Sequence, residues 1–172
     1  DIFHHISEAA DSLGVDCYVV GGYVRDIFLE RPSNDIDVVV VGSGIAVAEK
    51  LRKILGRRAH VSVFRNFGTA QVKYHGMEVE FVGARKESYS HDSRKPIVED
   101  GTLEDDQDRR DFTINSLYYS VADFTVRDYV GGMKDLQDGV IRLIGNPETR
   151  YREDPVRMLR AVRFAAKLNM TI

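Results

Sequence analysis

Cysteine is almost absent: Cys17 is the only one in 172 residues. A lone cysteine excludes an internal disulfide framework and a multi-cysteine zinc site, and it fits a reducing, cytoplasmic compartment. Long hydrophobic runs are missing too. The longest apolar run, residues 38–41, is continued only by small residues, whereas a membrane-spanning helix needs about 20 apolar residues. No membrane association is therefore expected. No basic stretch followed by an apolar one opens the chain, so no secretory signal is read. Internal repeats and low-complexity tracts are absent. So is a large excess of charge, the net value being −3. That total does not indicate a strongly basic nucleic-acid binder, although a near-neutral total can hide a basic groove. There is no initiator Met, and the chain stops at Ile172 just after a helix-like segment. These ends predict an N-terminal portion of something longer.

The composition present is that of a globular protein, 43% hydrophobic and 30% charged, and the length suits one compact domain or one domain plus the start of a second. Charge is unevenly spread. Residues 99–111 hold seven acids, and residues 150–167 hold Arg150, Arg152, Arg157, Arg160, Arg163 and Lys167.

Apolar spacing predicts a helix over 1–13, stopped by Gly14, then a strand at 16–20, a Gly21-Gly22 break and a short helix at 23–29. The β-branched run 36–41 reads as a strand buried in a sheet. Gly42-Ser43-Gly44 turns the chain into a helix at 45–55, and strands follow at about 59–64, 68–74 and 77–82. Residues 84–108 are polar without a clear period, long for a structureless loop in a compact domain and so expected to be functional or mobile. A hairpin at 116–122 and 125–129, a short strand at 140–143 and a helix from Pro155 to about 168 complete the reading. The expected class is a mixed α/β (α+β) sheet backed by helices, with a helical segment beginning near 147.

Asp35 and Asp37 carry the first chemical signal. Alternate residues of a strand face one way, so both carboxylates project together. Such a pair, with substrate phosphates, suits Mg²⁺; two solvated acids at a strand end are the plainer alternative. Gly21-Gly22 exposes backbone N–H groups between strand and helix, with Arg25 able to reach a phosphate oxygen; a tight turn with a surface arginine is the alternative. Gly42-Ser43-Gly44 imitates a dinucleotide fingerprint, but position 47 is Val47 and no acid follows about 20 residues on. A P-loop motif is absent. Glu78 and Glu80 share a strand face, and either would complete a two-metal site for phosphoryl displacement. Glu80 is preferred, lying nearer the strand end.

Arg109-Arg110-Asp111-Phe112-Thr113-Ile114-Asn115 places two cations, an acid and an amide in one turn, suited to clamping a triphosphate and accepting from a ribose hydroxyl, or simply to capping a helix. Asp154, Arg157 and Arg160 recur every three residues and share a helix face. An acid and a planar donor fork there could read a base edge, or form a surface salt bridge.

In order, Gly21-Gly22-x-Val24-Arg25-Asp26, Asp35-x-Asp37, Arg109-Arg110-Asp111-Phe112-Thr113-x-Asn115 and Glu153-Asp154-x-x-Arg157-x-x-Arg160-Ala161-x-Arg163-Phe164 resemble the motifs of bacterial tRNA nucleotidyltransferases and poly(A) polymerases. These form the class II branch of the polymerase-beta-like nucleotidyltransferase superfamily. The resemblance spans about 15–168. It implies a catalytic head at 1–145 and the start of a helical neck at 146–172. It implies that Asp35 and Asp37 hold Mg²⁺ and activate an RNA 3′-hydroxyl, that Gly22 and Arg25 contact the triphosphate, and that Arg110 and Asp111 contact phosphate and ribose. Asp154 and Arg157 would template the base edges of C and A, with Arg160 and Arg163 supporting the nucleotide. Residues 84–108 match the loop such enzymes use in switching from C to A. Gly56-Arg57-Arg58 followed by Ala59-His60 departs from the signature of the polymerases, and Phe67-Gly68-Thr69-Ala70 looks more like the CCA enzymes. The resemblance thus implies CCA addition to tRNA 3′ ends from CTP and ATP, with polyadenylation or a non-catalytic nucleotide- or RNA-binding module as alternatives.

Overall fold

A computed structural model describes residues 1–88 and 97–172. Its centre is a seven-stranded sheet, built from β1 (Asp16–Val20), β2 (Asp35–Val41), β3 (His60–Phe64), β4 (Thr69–Tyr74), β5 (Met77–Gly83), and the hairpin of β8 (Leu117–Ser120) and β9 (Val126–Asp128). The spatial order is β3-β4-β5-β2-β1-β8-β9. Only β2 and β5 run parallel; every other neighbouring pair in this sheet is antiparallel. The expected mixed, largely antiparallel sheet backed by helices is what forms.

Strand β2 shows why the two sheet faces differ. Ile36, Val38 and Val40 point to the face covered by helices α1 (Ile2–Leu13) and α3 (Gly44–Leu55), joining Ile6, Ala9, Val47 and Leu51 in the main core. Each such side chain contributes about 1.5–3 kcal/mol by leaving water. Val39 points to the opposite face, where it packs with Tyr18, Val20, Ala84 and Tyr118. By the period of two, Asp35 and Asp37 lie on that second face, at the end the core leaves open; both are exposed.

Local chemistry places the joints. Ser43 caps α3, its Oγ accepting from Ala46 N at 3.1 Å. A Cβ at Gly44 would meet the Phe81 carbonyl oxygen at 3.1 Å. Gly42-Ser43-Gly44 therefore starts a helix pressed onto β5, as its lack of a full dinucleotide fingerprint suggested. Helix α2 (Gly22–Phe28) follows β1 directly.

Two sequence expectations change. The described residues of the stretch 84–108 are not structureless: β6 (Arg85–Ser88) pairs with β7 (Ile97–Asp100), and α4 (Leu103–Arg109) follows. The helix forms because Thr102 and Asp105 make a reciprocal capping box. Residues 89–96 of that stretch lie outside the described residues. The segment 140–143 is not a strand. It makes two isolated bridges, Val140 with Thr171 and Leu143 with Phe112, because it runs between α5 (Gly132–Asp138) and α6 (Pro147–Glu153) rather than along a sheet edge. Helix α7 (Val156–Leu168) begins at Pro155 and places Ala161 and Leu168 in the main core. Among the described residues no helix is long and apolar enough to cross a membrane.

Candidate active site

The open end of the second sheet face gathers carboxylates. The parallel register sets Asp37 beside Glu80 and Asp35 beside Glu78. Burial raises the Asp37 carboxyl above the usual range even though the residue keeps solvent access; Arg110 pulls it down and Asp35 pushes it up. Burial, then Asp37, raises Glu80 likewise. Glu78 is engaged elsewhere, accepting from Gln71 Nε2 at 3.2 Å and lying 3.6 Å from Lys73 Nζ. On the other flank, antiparallel register sets Val20 opposite Asp37, so the turn after β1 arrives at the same place. Gly21 has φ +80°, and a Cβ there would sit 3.6 Å from Asp37 Oδ2. Glycine serves twice: it adopts the positive φ without strain and leaves room beside the carboxylate.

This donor set is all oxygen and carries excess negative charge, which suits a hard divalent cation. No cluster of three His, Cys, Asp or Glu side chains able to hold a metal is present among the described residues. Two carboxylates completed by substrate phosphates is the arrangement Mg²⁺ favours, so Asp35 and Asp37 fit that ion, whereas Glu80 does not complete a preformed cage.

The segment 108–111 is anchored from below. Asp106, fully buried, accepts from Arg109 Nη2 at 2.8 Å, Arg110 Nε at 2.9 Å and the Tyr118 hydroxyl at 2.7 Å. Burial works to raise its carboxyl, but Arg110, Arg109 and these hydrogen bonds hold it below the usual range. Arg150 on α6 donates to the carbonyl oxygens of Asp108 and Arg110 at 2.9 and 2.6 Å. Arg110 is thereby held near Asp37.

A second group forms around Phe164 of α7. Arg25 lies over its ring at 5.3 Å, Arg160 at 5.6 Å, and Phe112 meets it edge-on at 5.8 Å. Arg25, expected from sequence to reach a phosphate, is buried; it donates to Asn115 Oδ1 at 2.7 Å and to Asp26 at 3.0 Å. Its guanidinium also fills the space over Gly22, 3.2 Å from where a Cβ would stand. Asp111, expected to meet ribose, is paired with Arg160 Nε at 2.7 Å. Arg157 is buried too, donating to the Arg150 carbonyl at 2.7 Å and Glu153 at 3.3 Å. Asp154 accepts from Val156 N at 3.2 Å at the α6–α7 junction. Arg163 is exposed.

The fold therefore brings Asp35, Asp37, Glu80, Gly21 and Arg110 together. It links Arg25 and Arg160 through one aromatic ring, pairs Asp111 with Arg160, and sets Asp154 and Arg157 at a helix junction. Sequence reasoning missed Asp106, Tyr118 and Arg150. The first had a readable signal: an acid three and four residues before Arg109 and Arg110, within the helix opened by Thr102-x-x-Asp105. Arg150 offered only its helical spacing to Glu153, which lies 3.7 Å away; the carbonyls it binds are about forty residues distant.

A family model for the poly A polymerase head domain matches residues 17–142. A "Poly(A) polymerase I" of Salmonella typhimurium is 53% identical over 167 residues, covering 92% of this chain and 36% of the relative. A "CCA-adding enzyme" of Ligilactobacillus salivarius is 37% identical over 169 residues, covering 97% of this chain and 40% of the relative. A solved tRNA nucleotidyltransferase, complexed with a primer tRNA and an incoming ATP analog, superposes with a TM-score of 0.82 at 40% identity, covering 96% of this chain and 46% of that one. The chain thus spans less than half the length of these proteins. With the four motifs in order and the carboxylate-bearing sheet they decorate, the chain belongs to the poly A polymerase head-domain family, which has the polymerase-beta fold.

Proposed function

We propose that this chain carries the nucleotidyl-transfer centre of an enzyme that extends RNA 3′ ends without a nucleic-acid template. The observation that carries the reading is the Asp35–Asp37 pair, placed on one open sheet face beside Gly21 and Arg110. In such a transfer the RNA 3′-hydroxyl oxygen bonds to the α-phosphorus of the nucleotide, the bond to the β-phosphate breaks, and pyrophosphate leaves with the negative charge. Asp35 and Asp37 would hold Mg²⁺, which supplies charge neutralisation at the phosphates and lowers the cost of deprotonating the hydroxyl. Arg110, locked by Asp106, offers a fixed cation beside the developing charge without reorganising. Next to it in the chain, Asp111 pairs with Arg160, which lies with Arg25 on the Phe164 ring.

ATP is the nucleotide this reading favours, with adenylate addition as the reaction. The support is the 53% identity to a relative named poly(A) polymerase against 37% to one named CCA-adding enzyme. CCA addition to tRNA from CTP and ATP remains the second reading, favoured by the departure at Ala59-His60 and by Asp154 and Arg157 as base-edge readers. Under it, Arg157 must first release the Arg150 carbonyl.

The protein is incubated with Mg²⁺, labelled ATP and CTP separately and together, and a tRNA lacking its 3′ CCA. Long A tails without C are expected; two C followed by one A, then a halt, establishes the second reading. Asp37→Ala is expected to abolish incorporation while the circular dichroism spectrum is unchanged. Normal incorporation by that variant refutes the carboxylate assignment.

A further inference from the structure

The sheet is asymmetric about Asp35 and Asp37. The anion-binding candidates Gly21, Arg110 and Arg160 come from the β1 side or from elements beyond it. On the β5-β4-β3 side lies a different set of groups that the site so far leaves unused. Arg58, His60, Lys73, Tyr74, His75 and Glu78 line a shallow pocket of about 280 Å³. Strand register makes its polar members one row: His60 pairs with Lys73, Lys73 with Glu78, and Glu78 with Asp35. Two strand spacings, about 10 Å, separate Lys73 from Asp35 along that row.

Beside the row, β3 is the sheet edge, and its second-face residues His60, Ser62 and Phe64 are exposed. Phe64 is 48% exposed, and Phe67, in the turn that follows, is 77% exposed. Large aromatics left in water beside cations are costly unless they receive something, and base stacking on such rings is how proteins hold single strands without reading sequence. Arg65 is exposed beside these rings, and Arg57 and Arg58 at the other end of β3, about 13 Å away along the strand, so the edge is basic within a chain of net charge −3. The Lys73–Glu78 pair is solvent-exposed on both sides and so holds Lys73 only weakly.

We propose that the β3–β4 edge is a platform for single-stranded RNA: Lys73 and Arg58 take backbone phosphates, Phe64 and Phe67 stack bases, and the row leads the 3′ end to Asp35. The inference deepens the nucleotidyl-transfer reading and rests on it. An in-line displacement needs the attacking hydroxyl and the leaving pyrophosphate on opposite sides of the α-phosphorus. With the arginine cluster on the β1 side, the strand bearing the hydroxyl enters from β5.

The test measures binding of a fluorescent single-stranded oligoadenylate by anisotropy over a range of salt, and MgATP binding alongside. For the double variant Lys73→Gln/Arg58→Gln, the slope of log K against log salt should fall by about 0.7 per lost phosphate contact, with Lys73→Arg/Arg58→Lys restoring it. Phe67→Ala should weaken binding by about five-fold or more, and MgATP affinity should not change in any of these variants. An unchanged slope in the double variant, or a wild-type protein that does not bind the oligoadenylate, overturns the platform. MgATP binding that is insensitive to Asp37→Ala refutes the nucleotidyl-transfer reading instead, so the two failures are told apart.

Discussion

Replacing Asp106 by Asn tests whether the segment bearing Arg110 is held by one buried charge. The substitution keeps the shape and removes the anion. Asp106 has no solvent exposure, while the Arg109 and Arg110 side chains are 15% and 17% exposed. Three hydrogen bonds of 2.7–2.9 Å converge on it. Charge-assisted bonds contribute about 1.5–3 kcal/mol each, but one group's bonds are not additive. Breaking a buried pair by removing one partner costs about 3–5 kcal/mol. Because both arginines keep some access to water, the low end applies: about 3 kcal/mol, read from urea unfolding followed by circular dichroism. The pH dependence has a defined sign. The carboxyl is held below its ordinary value in the folded state, so its stabilisation is present above the ordinary carboxylate pKa and is lost as pH falls toward the depressed value. Asp106→Asn should therefore remove part of the acid limb of the stability profile as well as lower the plateau. A loss under about 1 kcal/mol with an unaltered acid limb refutes the anchoring argument.

A Cβ at Gly132 would overlap the Thr113 carbonyl oxygen and meet Leu117 Cδ2 at 3.2 Å, so Gly132→Ala should cost about 1–3 kcal/mol in thermal unfolding. Gly139→Ala, with φ +70° but nothing within 4 Å, should cost about 1 kcal/mol of backbone strain alone; equal losses refute the close approach. Cys17 is 2% exposed and burial, with Asp16, pushes its thiol up to about 12. It should resist a thiol-disulfide dye in the native protein and react once denaturant is added. The unfolded thiol ionises from about pH 8.5, so stability should fall as pH rises from there toward 12, and Cys17→Ala should reduce that fall.

The Phe164 cluster explains why several sequence-predicted ligands are turned inward. Arg25 and Asn115 stand ninety positions apart, yet they meet because α2 packs against the 113–115 turn. Arginine stacked on an aromatic face keeps its charge while shedding little hydration. Arg160 reaches the same ring from α7 and pairs with Asp111. The motif residues thus support one another, while Arg110 pulls the Asp37 carboxyl down.

Some of this was legible because it is local. The alternation in Asp35-Ile36-Asp37 puts both carboxylates on one face of any strand, whatever the strand pairs with. Ser43 and Gly44 start a helix through backbone hydrogen bonding within four residues. The β-branched run of β2 marks a central strand, since such side chains need cover on both faces. The capping box at Thr102 and Asp105 was equally local, but the acids around it masked it as a polar loop.

Pairing between distant segments decided the rest. Whether Glu78 or Glu80 lies beside Asp37 depends on the register of β2 against β5, and one step of slip turns every side chain to the other face. Arg25 faces inward because Asn115 and Phe164, remote in sequence, supply an acceptor and a ring. Asp106 became an anchor only when Tyr118, from another strand, closed over it. Short-range stereochemistry determines what each segment is, so the sequence alone settled the central strands, the cap at Ser43 and the shared face of Asp35 and Asp37; burial and register belong to the assembled sheet, so only the tertiary structure settled which charges meet.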